Sequence, residues 1–279
     1  MNIKEQLKAA EEVLARCDVE SARIEAEILM AHVLKVGRLY LYVNPELELT
    51  QEQIDNYNML VKRRTNREPT AYIVGHREFM DLDLIVNEDV LIPRPETEVL
   101  VETVIDHLND ITRVVRIADI GTGSGAIAVS LAKSLPCSMI EAVDISEKSL
   151  TVARLNAGRY SVLGRITFSL GNLLEPLNGG KFNAIVSNPP YIPSKVIDTL
   201  QAEVREYEPS IALDGGADGL DFYRRLMEES PKLLVEGGFL AVEIGFDQAE
   251  AVTNLARGHF REVKVIKDLS QNDRVVIAK

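Results

Sequence analysis

The segment Ser187-Asn188-Pro189-Pro190-Tyr191 has residue types that narrow the chemistry sharply. Two successive prolines remove two backbone donors and stiffen an extended turn. The groups left to face a ligand are acceptors, the Asn188 side-chain oxygen and the Pro189 carbonyl, beside the flat ring of Tyr191. That set suits a planar NH2 group. Such a nitrogen shares its lone pair with a neighbouring π system and is a poor nucleophile. Two acceptors can hold its N–H bonds, aim it, and stabilise the positive charge that develops on it during attack. The aromatic face orients the planar group and keeps water away. No strong general base is needed if the proton leaves after transfer. A sulfonium methyl donor fits, because its charge disappears in the reaction and a neutral, desolvated pocket favours that. The plainer alternative is a rigid loop with a buried capping asparagine.

A second constellation lies upstream, in Asp119-Ile120-Gly121-Thr122-Gly123-Ser124-Gly125-Ala126. Glycines permit positive φ and close backbone approach to a ligand. They follow an apolar run and precede a helical one, the ligand crevice of a doubly wound sheet. Gly121, Gly123 and Ala126 also satisfy the pattern of dinucleotide enzymes, so the loop alone does not choose a cofactor. Asp144, nineteen residues after Gly125, ends the next apolar run. A carboxylate there can accept from both ribose hydroxyls of an adenosine cofactor; it can also cap the following helix. Asn172 is placed for an adenine amino group and Leu173 for its ring, although Gly171-Asn172 also reads as a turn. The histidines, His32, His76, His107 and His259, do not cluster with cysteines or carboxylates, so no metal site is expected. A dehydrogenase is disfavoured for want of a hydride-acceptor site.

The elements that must position these residues alternate. Strands are expected over 114–120, 139–145, 166–170, 184–187, 239–244, 263–266 and 275–278. Helices are expected over 125–134, 146–160 with Leu150, Ala153, Leu155 and Ala157 inward, and 220–235. This is a doubly wound α/β sheet. The last two strands are joined by too few residues for a parallel crossover and must be antiparallel. Residues 1 to about 70 read as helical. Asp18 is expected to cap a helix with Ile24, Ile28, Ala31 and Leu34 on one stripe. Thr50 and Gln53 form a capping box for a helix ending near Pro69. Tyr72 to Val90 suggests a hairpin between two domains. Leu91 to Glu98, with two prolines, reads as a stiff loop before a helix through Leu108.

Formal net charge is −12, which weighs against broad contact with phosphate backbones. The cationic stretch Lys62, Arg63, Arg64 and Arg67 reads as a solvated helix face. Two distant cysteines, Cys17 and Cys137, fit a reducing cytoplasm. Neither a secretion signal nor a membrane span is expected.

The chain resembles the HemK/PrmC release factor glutamine N5-methyltransferases over essentially its whole length. The resemblance rests on Pro69 to Gly75 (PTAYIVG), Leu91 to Glu98 (LIPRPETE), Asp119 to Ala126 (DIGTGSGA), Ser187 to Ile192 (SNPPYI), Glu208 to Leu220 (EPSIALDGGADGL) and Glu243-Ile244-Gly245. NPPY alone is shared with DNA adenine and RNA guanine methyltransferases; the combination is more specific. The resemblance implies a Rossmann-like, seven-stranded methyltransferase domain over 96–279, with its last strand antiparallel. Before it stand a small all-α docking domain over 1–71 and a hairpin linker over 72–95. It implies S-adenosylmethionine as cofactor, S-adenosylhomocysteine as product, and class 1 peptide chain release factors as protein substrate, methylated on the glutamine of Gly-Gly-Gln. The candidate cofactor set is Asp119, Gly121, Thr122, Gly123, Ser124, Gly125, Asp144, Asn172, Leu173 and Asn188. The candidate catalytic residues are Asn188, Pro189 and Tyr191, and Pro190 joins them around the glutamine amide. Arg94 and Glu96 are expected at the methionine end of the pocket, or as ion-pair partners within their loop. Some members of the family carry an acid and an aromatic where this chain has Asn172 and Leu173. Competing readings are a nucleic-acid amino methyltransferase, an enzyme acting on a ribosomal-protein glutamine, and a cofactor-binding regulatory module.

Overall fold

The computed structural model describes residues 1–109, 113–177 and 180–279. Two compact units emerge: Met1–His76 with Gln201–Tyr207, and Arg77–Leu200 with Glu208–Lys279.

The first unit is helical: α1 (Ile3–Arg16), α2 (Ala22–Leu34), α3 (Arg38–Val43), α4 (Gln51–Thr65) and α5 (Thr70–Val74). Side chains next to the helices start two of them. Asn2 and Glu5 form a capping box on α1, and Thr50 and Gln53 form the expected one on α4. Asp18 does not cap α2. Its φ is +54°, and Ser21, also left-handed, precedes the helix without a side-chain bond. Of the expected stripe, Ala31 is buried and Ile28 and Leu34 pack against the core, but Ile24 is exposed, and Ala22, Ala26, Leu29 and Met30 are buried as well. The reason is packing: α2 touches α1, α3, α4 and α5, so its buried surface is wider than one stripe. The cationic stretch is a solvated face only in part, at Lys62 and Arg63. Arg64 is buried and bonds Glu25 at 2.7 Å and Glu203 at 2.8 Å; Arg67 bonds Glu203 at 2.6 Å. Tyr72 to Val74 are helical rather than extended, with Gly75 closing α5 at φ +82°.

The second unit begins with the hairpin β1 (His76–Phe79) and β2 (Leu82–Ile85), then α6 (Thr97–Leu108), β3 (Val115–Ile120), α7 (Ala126–Ser134), β4 (Ser138–Asp144), α8 (Glu147–Arg159), β5 (Ile166–Leu170) and β6 (Phe182–Ser187). The chain then lends a short helix, α9 (Ala202–Tyr207), to the first unit. It returns with α10 (Asp221–Glu229), β7 (Leu234–Glu243), α11 (Ala249–Arg257), β8 (Val263–Lys267) and β9 (Asp273–Ala278). The sheet order is β5-β4-β3-β6-β7-β9-β8. The first five strands pair in parallel, and β9 runs antiparallel to both neighbours. The predicted α/β architecture is therefore observed. Leu82 and Leu84 of the hairpin lie in the core of this unit, so 72–95 is not a separate linker.

Alternation along the strands explains the two layers of core. Ile117, Ala142, Ala184, Val186 and Ala241 face α6 and α7; Ala118, Val143, Ile185, Leu240 and Val242 face α10 and α11. Burial on both faces requires the continuous apolar runs seen in the sequence. Two expectations give way. Leu155 points to solvent, 54% exposed. The helix expected over 220–235 stops at Glu229, because Pro231 cannot continue it, and β7 begins at Leu234. Among the described residues no helix is long and apolar enough to cross a membrane.

Candidate active site

The strand order reverses around β3: β4 lies on one side and β6 on the other. Ligands of such sheets bind outside the carboxyl ends of the strands at this switch point. A cavity of about 340 Å3 opens there, lined by the ends of β3, β4 and β6, by the loop after β5, and by the segment 88–91. Its volume falls within the roughly 300–1,000 Å3 common for small-molecule sites.

The glycine loop forms one wall. Gly121 and Gly123 take φ of +72° and +55°, and a Cβ on either would meet nothing within 4 Å. Their missing side chains leave space for a ligand. Gly125, at φ +80°, is small for another reason: a Cβ there would lie 3.0 Å from that of Ala153, so it permits α7 and α8 to pack. Asp144 fixes the loop. Its carboxylate accepts from the Gly123 N–H at 2.8 Å and the Ser146 N–H at 2.9 Å. Burial raises its pKa, and these bonds oppose the rise. Asp119 lies behind the loop, fully buried, accepting from the Thr122 hydroxyl at 2.7 Å and the Ala128 N–H at 3.1 Å. Burial pushes its pKa up to about 7. Asn156 ties the same loop to the hairpin, donating to the Ser124 and Ile85 carbonyls at 2.8 and 2.9 Å.

The Asn188 turn forms the opposite wall. The Ser187 hydroxyl donates to the Ile120 carbonyl at 2.7 Å and locks β6 to β3. Asn188 donates from Nδ2 to Thr97 Oγ1 at 3.0 Å. Gln248 donates from Nε2 to the Tyr191 carbonyl at 3.0 Å and accepts the Gly245 N–H at 3.0 Å. Tyr191 is half-buried, and burial, followed by the nearby Glu243, pushes its phenol up to about 12, so it stays neutral. Arg94 pairs with the buried carboxylate of Glu208, which also accepts the Ile92 N–H at 3.1 Å. The loop before α6 is thus pinned from 208, not by a bond to Glu96.

The structure gathers Gly121, Gly123, Asp144, Asn172, Leu173, Asn188, Pro189 and Pro190 around one cavity. Asp119, Thr122, Ser124, Gly125, Tyr191, Arg94 and Glu96 are not among the described lining residues; the first four support the loop from behind. Asn172 accepts from Arg225 at 3.2 Å, and Leu173 holds φ +54° with its side chain in the core. Sequence reading passed over Glu88 to Leu91, Pro209, Ile211 and Phe222 as lining, and over Thr97, Asn156 and Gln248 as polar supports. The signal available for the supports was an Asn, Thr or Gln at a mostly apolar position of an element.

The lining carries Glu88, Asp89 and Asp144 and, among the described residues, no Lys, Arg or His. Asp89 is answered from outside by Lys148 at 2.9 Å. Such a wall disfavours a pyrophosphate and favours a ligand with positive charge and hydroxyl donors.

The PrmC N-terminal domain family matches residues 5–75, and the methyltransferase small domain family matches residues 95–204. A release factor glutamine methyltransferase of Geobacter sulfurreducens is 46% identical over 264 residues, covering 94% of this chain and 91% of that one. One of Moorella thermoacetica is 45% identical over 280 residues, covering 100% and 98%. A solved methyltransferase from Pyrococcus furiosus shares the fold, with a TM-score of 0.51 at 22% identity over 71% of this chain and 88% of that one.

Proposed function

The chain belongs to the release factor glutamine methyltransferase family, and we propose that it transfers a methyl group from S-adenosylmethionine to the side-chain amide nitrogen, N5, of the glutamine in the Gly-Gly-Gln motif of peptide chain release factors. The observation that carries this reading is a cavity without cationic lining among the described residues, with Asn188 on its wall and the nitrogen of that amide already tied to Thr97. When bound, the cofactor supplies an electrophilic methyl group on a sulfonium sulfur and leaves as S-adenosylhomocysteine.

The residues fit that cofactor. Open space over Gly121 and Gly123 accommodates its amino-acid portion, and the acidic wall suits its positive charge. Each Asp144 oxygen accepts one backbone N–H and retains lone-pair capacity for ribose hydroxyls. Leu173 and Ile145 offer apolar surface for a purine, with Asn172 beside them. On the acceptor side, the Asn188 oxygen and the Pro189 carbonyl hold the two N–H bonds of the glutamine amide. They raise the charge density the nitrogen can present and stabilise its positive charge during attack. Tyr191, neutral across the ordinary pH range, supports the turn without competing as a base. The proton then leaves the nitrogen to solvent. A groove of about 490 Å3, lined by Ser210, Asp214, Asp221 and Arg225, shares Asn172, Ile211 and Phe222 with the cavity and gives a loop of a protein substrate a route in.

The test is to incubate the protein with methyl-labelled S-adenosylmethionine and separate pools of release factor, ribosomal protein, RNA and DNA. Label is expected on a release factor glutamine. Label on nucleic acid or on ribosomal protein alone would overturn the assignment.

A further inference from the structure

We propose that Gly215, held within the segment 214–219, is a positioning residue that fixes the Asn188 turn from behind, so that the Pro189 carbonyl meets the acceptor amide. The inference rests on the methyl-transfer reading above and names what sets the acceptor geometry in it. The need for an outside anchor follows from the composition of the turn. Pro189 and Pro190 have no N–H, so neither can be tied to a neighbour through a donor. The Asn188 oxygen and the Pro189 carbonyl are the acceptors for substrate, and bonds within the protein would occupy them. Upstream, Ser187 and Asn188 are anchored at Ile120 and Thr97. Downstream, the anchors come from the backbone around 213–219. Ile192 donates its N–H to the Leu213 carbonyl at 3.0 Å and accepts the Gly215 N–H at 2.9 Å, one rung of parallel pairing. The Ser194 N–H donates to the Gly216 carbonyl at 2.9 Å. Gln248 Nε2 bridges both segments, reaching the Tyr191 carbonyl at 3.0 Å and the Gly219 carbonyl at 3.3 Å.

Glycine permits this approach of backbone to backbone. A Cβ on Gly215 would lie 2.8 Å from the Tyr191 Cα and 2.9 Å from the Pro190 carbonyl oxygen. A Cβ on Gly219, at φ +77°, would run into the Tyr191 carbonyl oxygen. These neighbours are main chain and cannot swing aside as the end of a long side chain can. Any methyl group here must therefore move one backbone segment away from the other.

The segment 214–219 is the better fixed of the two. Asp214 Oδ1 accepts from the Ser194 hydroxyl at 2.7 Å and from the Gly216 N–H at 2.9 Å. These bonds hold its carboxyl below the ordinary carboxylate range, so the acceptor persists at neutral pH. The Asp221 N–H, at the start of α10, donates to the Gly215 carbonyl at 3.1 Å. That helix is itself seated in the core by Tyr223, Leu226 and Met227. Between a segment tied to a buried helix and a turn without donors at two successive residues, the turn is the part that yields.

The experiment compares the full chain with its Gly215→Ala, Asp214→Ala and Asp214→Asn variants, and with Gly158→Ala as control, where a Cβ meets nothing within 4 Å. Activity is measured with S-adenosylmethionine and release factor, cofactor affinity by calorimetry, and backbone amide exchange at Ile192 and Ser194 by NMR without cofactor. Gly215→Ala is expected to lower kcat by about a hundredfold, the scale of a misplacement on the order of an ångström. Cofactor affinity and KM for release factor should stay within about threefold, because the lost interaction is made in the transition state. Asp214→Ala frees the segment without adding a clash and is expected to lower kcat by about five- to tenfold. Asp214→Asn keeps the Oδ1 acceptor and should restore it. Asp214 also lines the adjoining groove; a direct contact with substrate would instead appear in KM and would persist in Asp214→Asn. The Ile192 and Ser194 amides should exchange slowly in the wild type and in Gly158→Ala, and faster in Gly215→Ala and Asp214→Ala. Unchanged kcat in Gly215→Ala, or an Asp214→Ala defect confined to KM, would overturn the inference. Should Gly215→Ala fail to fold, the Asp214 pair decides alone. If the wild type methylates no release factor, the functional reading fails, while the exchange rates still decide whether 214–219 holds the turn.

Discussion

The two walls of the cavity are built by opposite means. The glycine loop is held by neighbours: Thr122 bonds Asp119 three residues away, and Asp144 reaches Gly123 over 21. The Asn188 turn is held from a distance. Thr97 lies 91 residues from Asn188, and Gln248 lies 57 from Tyr191. A ligand-holding backbone can be specified by local glycines and one carboxylate. An acceptor that must present a particular lone pair needs side chains from elements that meet only in the finished fold.

Variants can break that contrast at either wall. Asn188→Ala should have the largest effect, a turnover loss of about a hundred- to a thousandfold, with cofactor affinity nearly unchanged in calorimetry. A parallel loss of cofactor binding would merge the two walls into one. Asp144→Ala is expected to weaken cofactor binding by about ten- to a hundredfold, the scale of hydrogen bonds to a charged group, while kcat at saturation falls less. Gly125→Ala, which forces a methyl group against Ala153, should cost about 1–3 kcal/mol in denaturant unfolding. Gln248→Ala frees the Tyr191 carbonyl and should lower kcat by a few-fold, on the scale of one neutral hydrogen bond worth about 1 kcal/mol.

A separate effect is on stability against pH. Asp119 and Glu243 sit at about 7 in the folded chain, against ordinary values of 3.8 and 4.5. Both are raised, so folding favours their protonated forms. The stability this confers is complete below about pH 4 and is lost as pH rises through about 7. The melting temperature should show that downward trend between pH 5 and 8, and Asp119→Asn should flatten it. A rising trend traced to these two groups would contradict their burial as its cause.

Legibility in the sequence follows the same division. The alternating strands, the Thr50 capping box and the glycine loop were readable because each depends on periodicity or on residues within one turn. Ile24 and Leu155 were misplaced because helical periodicity does not say how many neighbours a helix has. Arg64 looked like surface charge because its partner Glu203 is 139 residues away. Thr97 was visible only as a helix start. The bond it receives from Asn188, 91 residues away, exists in three dimensions alone.

The return of Gln201–Tyr207 to the helical unit has a practical consequence for dissecting the molecule. That unit cannot be obtained by cutting the chain once. A fragment ending near residue 76 leaves the Arg64 guanidinium, 4% exposed in the intact unit, without one of its two carboxylates and Arg67 without its Glu203 partner. Losing one partner of a buried ion pair costs up to about 3–5 kcal/mol, here reduced because Glu25 stays with Arg64. The complementary truncation leaves Glu203 without Arg64 and Arg67. Poor behaviour of either piece would therefore report a severed ion-pair network before it reported anything about substrate recognition.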